Sequence, residues 1–189
     1  MKEKIILGSG SPRRKELLGA LGFNFEVRTK DTDENYPTAM SCEEVPVFLA
    51  KQKAAALLPE LQEDELLICA DTVVILDNQI LGKPSNKKEA SEMLNQLSGQ
   101  THNVITGVFI GDTCQEVVFS DITEVTFNTL TEDQINYYIE NYKPFDKAGS
   151  YGIQEWIGFI GVASITGTYA NVMGLPTQKV FYHLTTDFK

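Results

Sequence analysis

Apolar positions along the chain fall into two rhythms. Short β-type runs recur at Ile5–Leu7, Phe23–Arg28, Leu66–Leu76, His102–Gly111 and Glu116–Phe127. Between them lie stretches in which apolar residues return every three or four positions, as one face of a helix requires. Leu17, Leu18 and Leu21 make such a stripe after Pro12. Phe48, Leu49, Ala54, Leu57 and Leu58 make another across Val45–Leu58, with Lys53 set on or beside it. Further helices are predicted from Ser85 or Asn86 to about Leu97, from Thr131 to about Asn141, and over Thr177–Leu184. Asp77-Asn78 closes a hairpin with Gln79–Leu81, and a strand is expected near Phe159–Thr166. Helices between strand pairs, with some strands joined by tight turns, predict an α/β fold: a mixed, partly antiparallel sheet flanked by helices.

Several boundaries carry their own chemistry. Ser11 can cap the first helix, Pro12 suits its first turn, and Gly22 suits the left-handed position past its end. Ser41–Glu44 and Thr131–Gln134 read as capping boxes, although Pro46 allows the regular helix after the first box to begin a residue or two late. Thr29–Pro37 is acidic and turn-rich, and composition alone makes it a solvated loop.

Several positions depart from what the pattern needs. Arg13 and Arg14 stand in a helical first turn, where the dipole is already positive. With Ser9, Ser11 and free first-turn N–H groups they suit a polyanion, although two solvated arginines on a capped helix read equally well. Asp71 interrupts a strongly apolar strand, where an unpaired carboxylate is costly, and breaks of this kind mark functional sites. Lys53 either snorkels from its stripe or meets a phosphate. Lys83, held between Gly82 and Pro84, adds a fourth cation from a third segment.

Composition narrows the ligand. With 16 basic and 26 acidic residues the formal charge is −10, which repels nucleic acid polymers and favours a small anion in a local basic pocket. Three scattered cysteines and two histidines offer no disulfide framework, zinc cluster or Ser-His-Asp triad. No run reaches the length of a signal peptide's core or a membrane span, so a cytoplasmic protein without a membrane partner is expected. The Gly8–Arg13 turn matches neither a Walker A loop nor a dinucleotide fingerprint. Neither a repeat nor a linker breaks the chain, which is read as a single domain over residues 1–189.

Taken together, Ser9–Arg14, the Lys53-Ala54 helix, Ala70–Val74, Gly82–Pro84, Asp146–Gln154 and Gly174–Pro176 resemble the Maf family, in the family's order and over nearly the whole chain. The resemblance implies a cytoplasmic, house-cleaning nucleoside triphosphate pyrophosphatase acting on dTTP and UTP, or on modified pyrimidine nucleotides, with a divalent metal. It also implies an elongated mixed α/β fold similar to inosine triphosphate pyrophosphatases. Asp71 is assigned as general base, and Arg13, Thr72 and Gln154 as positions that set substrate choice. Three residues depart from the family pattern. Gly8 stands where Ala is common and is expected to be harmless; Cys69 stands where a small residue is usual; Glu155 replaces the Gly that often follows the glutamine.

On this reading Arg13, Arg14, Lys53 and Lys83 clamp the triphosphate, with Ser9 and Ser11 as neutral donors. Thr72 and Gln154 face the base. A carboxylate is a weak base for bulk water, so Mg²⁺ or Mn²⁺ is expected on Asp71 and Glu34, with Asp33 an equally acidic neighbour. The rival reading is a nucleotide-binding regulator of cell division or septum formation in which hydrolysis is incidental. A homodimer is left open.

Overall fold

The computed structural model describes residues 4–188. Its elements follow the chain as strand β1 (Lys4–Leu7), helix α1 (Pro12–Ala20), β2 (Phe25–Val27), α2 (Val45–Leu57), β3 (Glu65–Leu76), β4 (Gln79–Leu81), α3 (Lys87–Leu97), β5 (Thr101–Gly111), β6 (Glu116–Phe127), α4 (Glu132–Tyr142), α5 (Trp156–Gly161), β7 (Val162–Thr166), α6 (Tyr169–Met173) and α7 (Thr177–Thr186). The sheet runs β2-β1-β3-β5-β6-β7, with β4 paired to β3. It is mixed: β1 pairs parallel with β2 and β3, while β4 and β7 pair antiparallel with β3 and β6. The fold class expected from the sequence is therefore the one observed.

The chain divides into two compact units. Met1–Asp71, Thr106–Asp121 and Gly174–Lys189 make the first; Thr72–Ile105 and Ile122–Met173 make the second. In the first unit the two faces of the sheet follow from strict alternation along β1 and β3. Ile5, Leu7, Leu66, Ile68 and Ala70 share a cluster with Leu18 of α1 and with Val180 and Leu184 of α7. Ile6, Leu67 and Cys69 share the opposite cluster with Ala50, Ala54 and Leu57 of α2. Parallel strands buried on both faces read as continuous apolar runs, which is why β3 is buried almost throughout.

The second unit is built from local signals. Asp77 (φ 48°) and Asn78 (φ 63°) form the left-handed pair of a tight hairpin turn between β3 and β4. Asn86 caps α3, its side chain accepting from the Glu89 amide at 3.0 Å. The capping box at Thr131–Gln134 forms in full at the start of α4, which packs against α3. The box at Ser41–Glu44 forms only in its glutamate half: the Glu44 carboxylate accepts from the Ser41 amide at 3.3 Å and from its hydroxyl at 2.7 Å, and α2 starts at Val45 with Pro46 in its first turn.

Two expectations need correction. The strand expected over Phe159–Thr166 begins only at Val162, because Trp156–Gly161 is helical. Ile157 and Gly161 are buried four positions apart while Phe159 between them is 79% exposed, a helical spacing that a short apolar run conceals. Likewise β2 covers only Phe25–Val27 of the run from Phe23 to Arg28.

Gly8 and Cys69 turn out to be one feature. A methyl group at position 8 would lie 2.4 Å from Cys69 Sγ and 2.9 Å from Leu57 Cδ1, and Cys69 is fully buried. The sulfur fills the space that an alanine at 8 would use. Gly8→Ala is expected to lower stability by about 1–3 kcal/mol through overpacking. Combining it with Cys69→Ala should restore much of the loss, a positive coupling read from denaturant midpoints of the two single variants and the double.

His102 is the second core feature with a measurable consequence. Its Nε2 lies 2.8 Å from the Tyr151 hydroxyl, and its ring packs edge-on to Phe127 and Tyr151. Burial pushes its pKa down from 6.5 to about 4, so the folded protein holds it neutral. The unfolded chain takes up that proton first as the pH falls, so this contribution is complete above pH 6.5 and is lost towards pH 4. Thermal midpoints measured across that window should fall less steeply for His102→Gln than for the wild type.

Candidate active site

Alternation along β3 places Leu67, Cys69 and Asp71 on the face covered by α2. Asp71 is 8% exposed, so its carboxylate needs a partner. Lys53 of α2 supplies it, one turn after Leu49 and next to buried Ala54. Its ammonium bonds Asp71 Oδ1 and lies 3.0 Å from Glu34 Oε1. Lys53 therefore neither snorkels into solvent nor needs a phosphate to explain its place on the stripe. Glu34 comes from the loop that composition assigns to solvent. Its neighbour Asp33 turns elsewhere and accepts from Asn35 Nδ2 at 2.6 Å, so the structure separates two acids that the sequence left equivalent.

The start of α1 lies in the same unit. Ser11 caps the helix, accepting from the Arg14 amide at 3.5 Å. The Ser9 hydroxyl oxygen accepts twice, from the Ser11 amide at 3.3 Å and from Arg14 Nη1 at 3.2 Å. Both lone pairs are thus engaged, and its O–H remains to donate to an anionic oxygen. Arg14 also donates through Nε to the Gly174 carbonyl at 2.8 Å, tying the helix start to the Gly174–Pro176 segment. Burial lowers its pKa from the ordinary guanidinium value; the Asp71 carboxylate opposes that shift and Arg13 reinforces it. Burial likewise pushes the Cys69 thiol up to about 12, against the pull of Lys53 and Arg14. Ser9, Ser11, Arg13, Arg14, Glu34, Lys53 and Asp71 all belong to this unit.

Thr72, Lys83 and Gln154 belong to the second unit. Thr72 is half-buried and Lys83 is exposed. Here the Gly149 amide donates to the Gly82 carbonyl at 3.1 Å. Gly149 has φ +66°, and any β-carbon on it would meet Val74 at 3.0 Å. Within the second unit these contacts bring Val74, Gly82 and Gly149 together, one residue from each of three segments singled out in the sequence. Gln154 is half-buried, and its Oε1 is buried with no hydrogen-bond partner among the described residues. Sequence reasoning missed Tyr138, whose hydroxyl donates to Glu155 Oε2. A tyrosine on the buried face of a helix carries no signal that separates it from ordinary core.

Asp71 and Glu34 also define what metal the residues could hold. Two carboxylates converging on one ammonium would accept a point cation of the same charge sign. Among the described residues no group of three or more His, Cys, Asp or Glu could hold an ion. That set fits Mg²⁺ or Mn²⁺, which take one or two protein carboxylates and fill the remaining positions with phosphate and water.

A family model described as Maf-like protein matches residues 4–186. The chain is 54% identical over 184 residues to a Phocaeicola vulgatus protein named dTTP/UTP pyrophosphatase, covering 97% of this chain and 95% of that one. A Bacteroides fragilis protein of the same name is 52% identical over 182 residues, covering 96% and 94%. The solved structure of the Staphylococcus aureus Ham1 protein shares the fold at 15% identity, with a TM-score of 0.55 over 98% of this chain and 100% of that one.

The Lys53–Asp71 pair has side chains only 17% and 12% exposed. Lys53→Met is expected to lower stability by about 3 kcal/mol, because it strands a buried carboxylate. Adding Asp71→Asn in that background should return most of the loss, as measured by urea denaturation.

Proposed function

The chain belongs to the Maf family, and from that membership we propose that it is a nucleoside triphosphate pyrophosphatase acting on dTTP and UTP, or on modified forms of them, and releasing the monophosphate and pyrophosphate. The observation that carries this reading is Asp71: a nearly buried carboxylate on an apolar strand, paired to Lys53, which also meets Glu34, in the unit that also holds a helix start furnished with Ser9, Ser11, Arg13 and Arg14. A protein that only bound a polyanion would gain nothing from a carboxylate so placed. The regulator reading has no observation of its own.

The bond made is between water oxygen and the α phosphorus; the bond broken is the bridge from that phosphorus to the oxygen of the β phosphate, which leaves with pyrophosphate. Asp71 accepts the proton of the attacking water. Lys53, bonded to Asp71, keeps the carboxylate oriented and sets a positive charge where negative charge builds on the phosphates. Ser9 donates its O–H to a phosphate oxygen. Arg14, already bonded to Ser9 and Gly174, holds that hydroxyl in place, while Arg13 and Ser11 add donors at the helix start. Thr72, Lys83 and Gln154 are assigned to the substrate by the family likeness, Lys83 to phosphate and the other two to the base. Asp71 and Glu34 would hold Mg²⁺ or Mn²⁺, whose chemistry when bound is to acidify water and neutralise phosphate.

The family match spans both units, and we read them as one functional domain. No helix among the described residues is long and apolar enough to cross a membrane. We place the protein in the cytoplasm, acting on free nucleotides as a monomer or homodimer.

Asp71→Asn should lower pyrophosphate release from UTP and dTTP by about a hundredfold or more while nucleotide binding persists. Near-normal turnover would overturn the base assignment. In ¹⁸O-labelled water the label should enter the monophosphate; label confined to pyrophosphate would mean attack at the β phosphorus.

A further inference from the structure

Within the second unit Lys147 is 7% exposed, and its ammonium lies 2.7 Å from Asp146 Oδ1 and 3.2 Å from Glu155 Oε1. The other oxygen of Glu155 accepts the Tyr138 hydroxyl proton. The Tyr138 oxygen in turn accepts from the Gly152 amide at 3.0 Å. A continuous chain of bonds thus runs from a buried cation, through a carboxylate and a phenol, to the backbone at Gly152. Residues 152–155 lie between its two anchors, and Gln154 is one of them. The post is rigid: Tyr138 is fully buried on α4, flanked by buried Ile135 and Ile139, and the helix start is fixed by its complete capping box.

The same turn sets the glutamine amide. Gln154 Nε2 comes within 3.0 Å of where a β-carbon on Gly152 would lie, so a side chain there would press on the amide. Glu155 also lies alongside, its carboxyl carbon 3.0 Å from that point. With Oε1 buried and without a protein partner among the described residues, the amide offers an acceptor with a defined direction.

Resting on the pyrophosphatase reading, we propose that Glu155 is a positioning residue that pins the Gly152–Glu155 turn through Tyr138 and Lys147 and so aims the Gln154 amide at the imide edge of uracil or thymine. That edge presents an N3–H donor flanked by carbonyl acceptors. Cytosine presents the reverse beside its amino group, an acceptor at N3. An amide free to rotate matches either base, whereas one held in a single orientation matches only one. Fixing the turn therefore converts a generic amide contact into a choice between bases. The charge that Glu155 brings is consumed by Lys147 and Tyr138, so it does not face the base as an unpaired anion.

The test is steady-state pyrophosphate release with UTP, dTTP and CTP by the wild type, Glu155→Ala, Glu155→Gln and Tyr138→Phe. Glu155→Ala should raise KM for UTP about tenfold with kcat changed by less than about threefold, and should narrow the preference for UTP over CTP to a similar degree. Glu155→Gln keeps an acceptor for Tyr138 and should restore most of the preference. Tyr138→Phe should fold with its ring in place and lose part of it. In a Gln154→Ala background, Glu155→Ala should change base preference no further. Unchanged preference in both Glu155→Ala and Tyr138→Phe overturns the proposal, as does an equal fall in kcat for all three triphosphates. A wild type that releases no pyrophosphate from UTP or dTTP removes the hydrolase reading alone. The positioning role is then read from equilibrium binding of UMP against CMP, where the same loss and rescue are expected and equal ratios in all variants overturn it.

Discussion

The first unit is built to keep one carboxylate inside an otherwise apolar strand. Asp71 can remain there because Lys53 answers it from α2, and Lys53 can reach it because alternation along β3 and the stripe of α2 put both on the same face of the sheet. Glu34 adds a second acid to the same ammonium. A buried pair of this kind contributes little net stability, since desolvating two charges offsets their attraction, and removing either member costs far more than the pair yields. What the arrangement secures is the orientation of the acid, held by an ammonium that also meets the loop carrying Glu34.

The helix start follows the same logic with the signs reversed. Two arginines in a first turn oppose the helix dipole, yet Arg14 is held by the Gly174 carbonyl and the Ser9 hydroxyl. Its charge is used to orient a neutral donor.

Much of this was legible beforehand because the informative residues broke local rules. Asp71 stands out against its apolar strand, Arg13 and Arg14 against the dipole, and short-range chemistry alone marks the caps at Ser11 and Thr131 and narrows a third to Ser85 or Asn86, of which Asn86 is the cap. What could not be read depended on partners distant in the chain. Lys53 was placed correctly on its helix, but its carboxylate partner lies 18 residues away, and the carbonyl that holds Arg14 lies 160 residues away. Asp33 and Glu34 are indistinguishable in the sequence because only the folded loop decides which one meets Lys53. The strand expected near Phe159–Thr166 takes in Phe159–Gly161, the end of the Trp156–Gly161 helix, because a short run of apolar and glycine residues fits either period. Tyr138 gives no sign at all, since its hydroxyl bond to Glu155 is not encoded in the helical pattern.

The interlocking of Gly8 with Cys69 bears on how such a sequence could have been reached. A sulfur at position 69 and a methyl at position 8 compete for one volume. A lineage starting with alanine and a small residue could therefore pass through the glycine intermediate, leaving a small void, far more easily than through the cysteine intermediate, where two atoms collide. The order of two substitutions in the protein's ancestry is thus constrained by a few ångströms of core. A comparison that scored the two sites independently would count as two oddities what was a single permitted path.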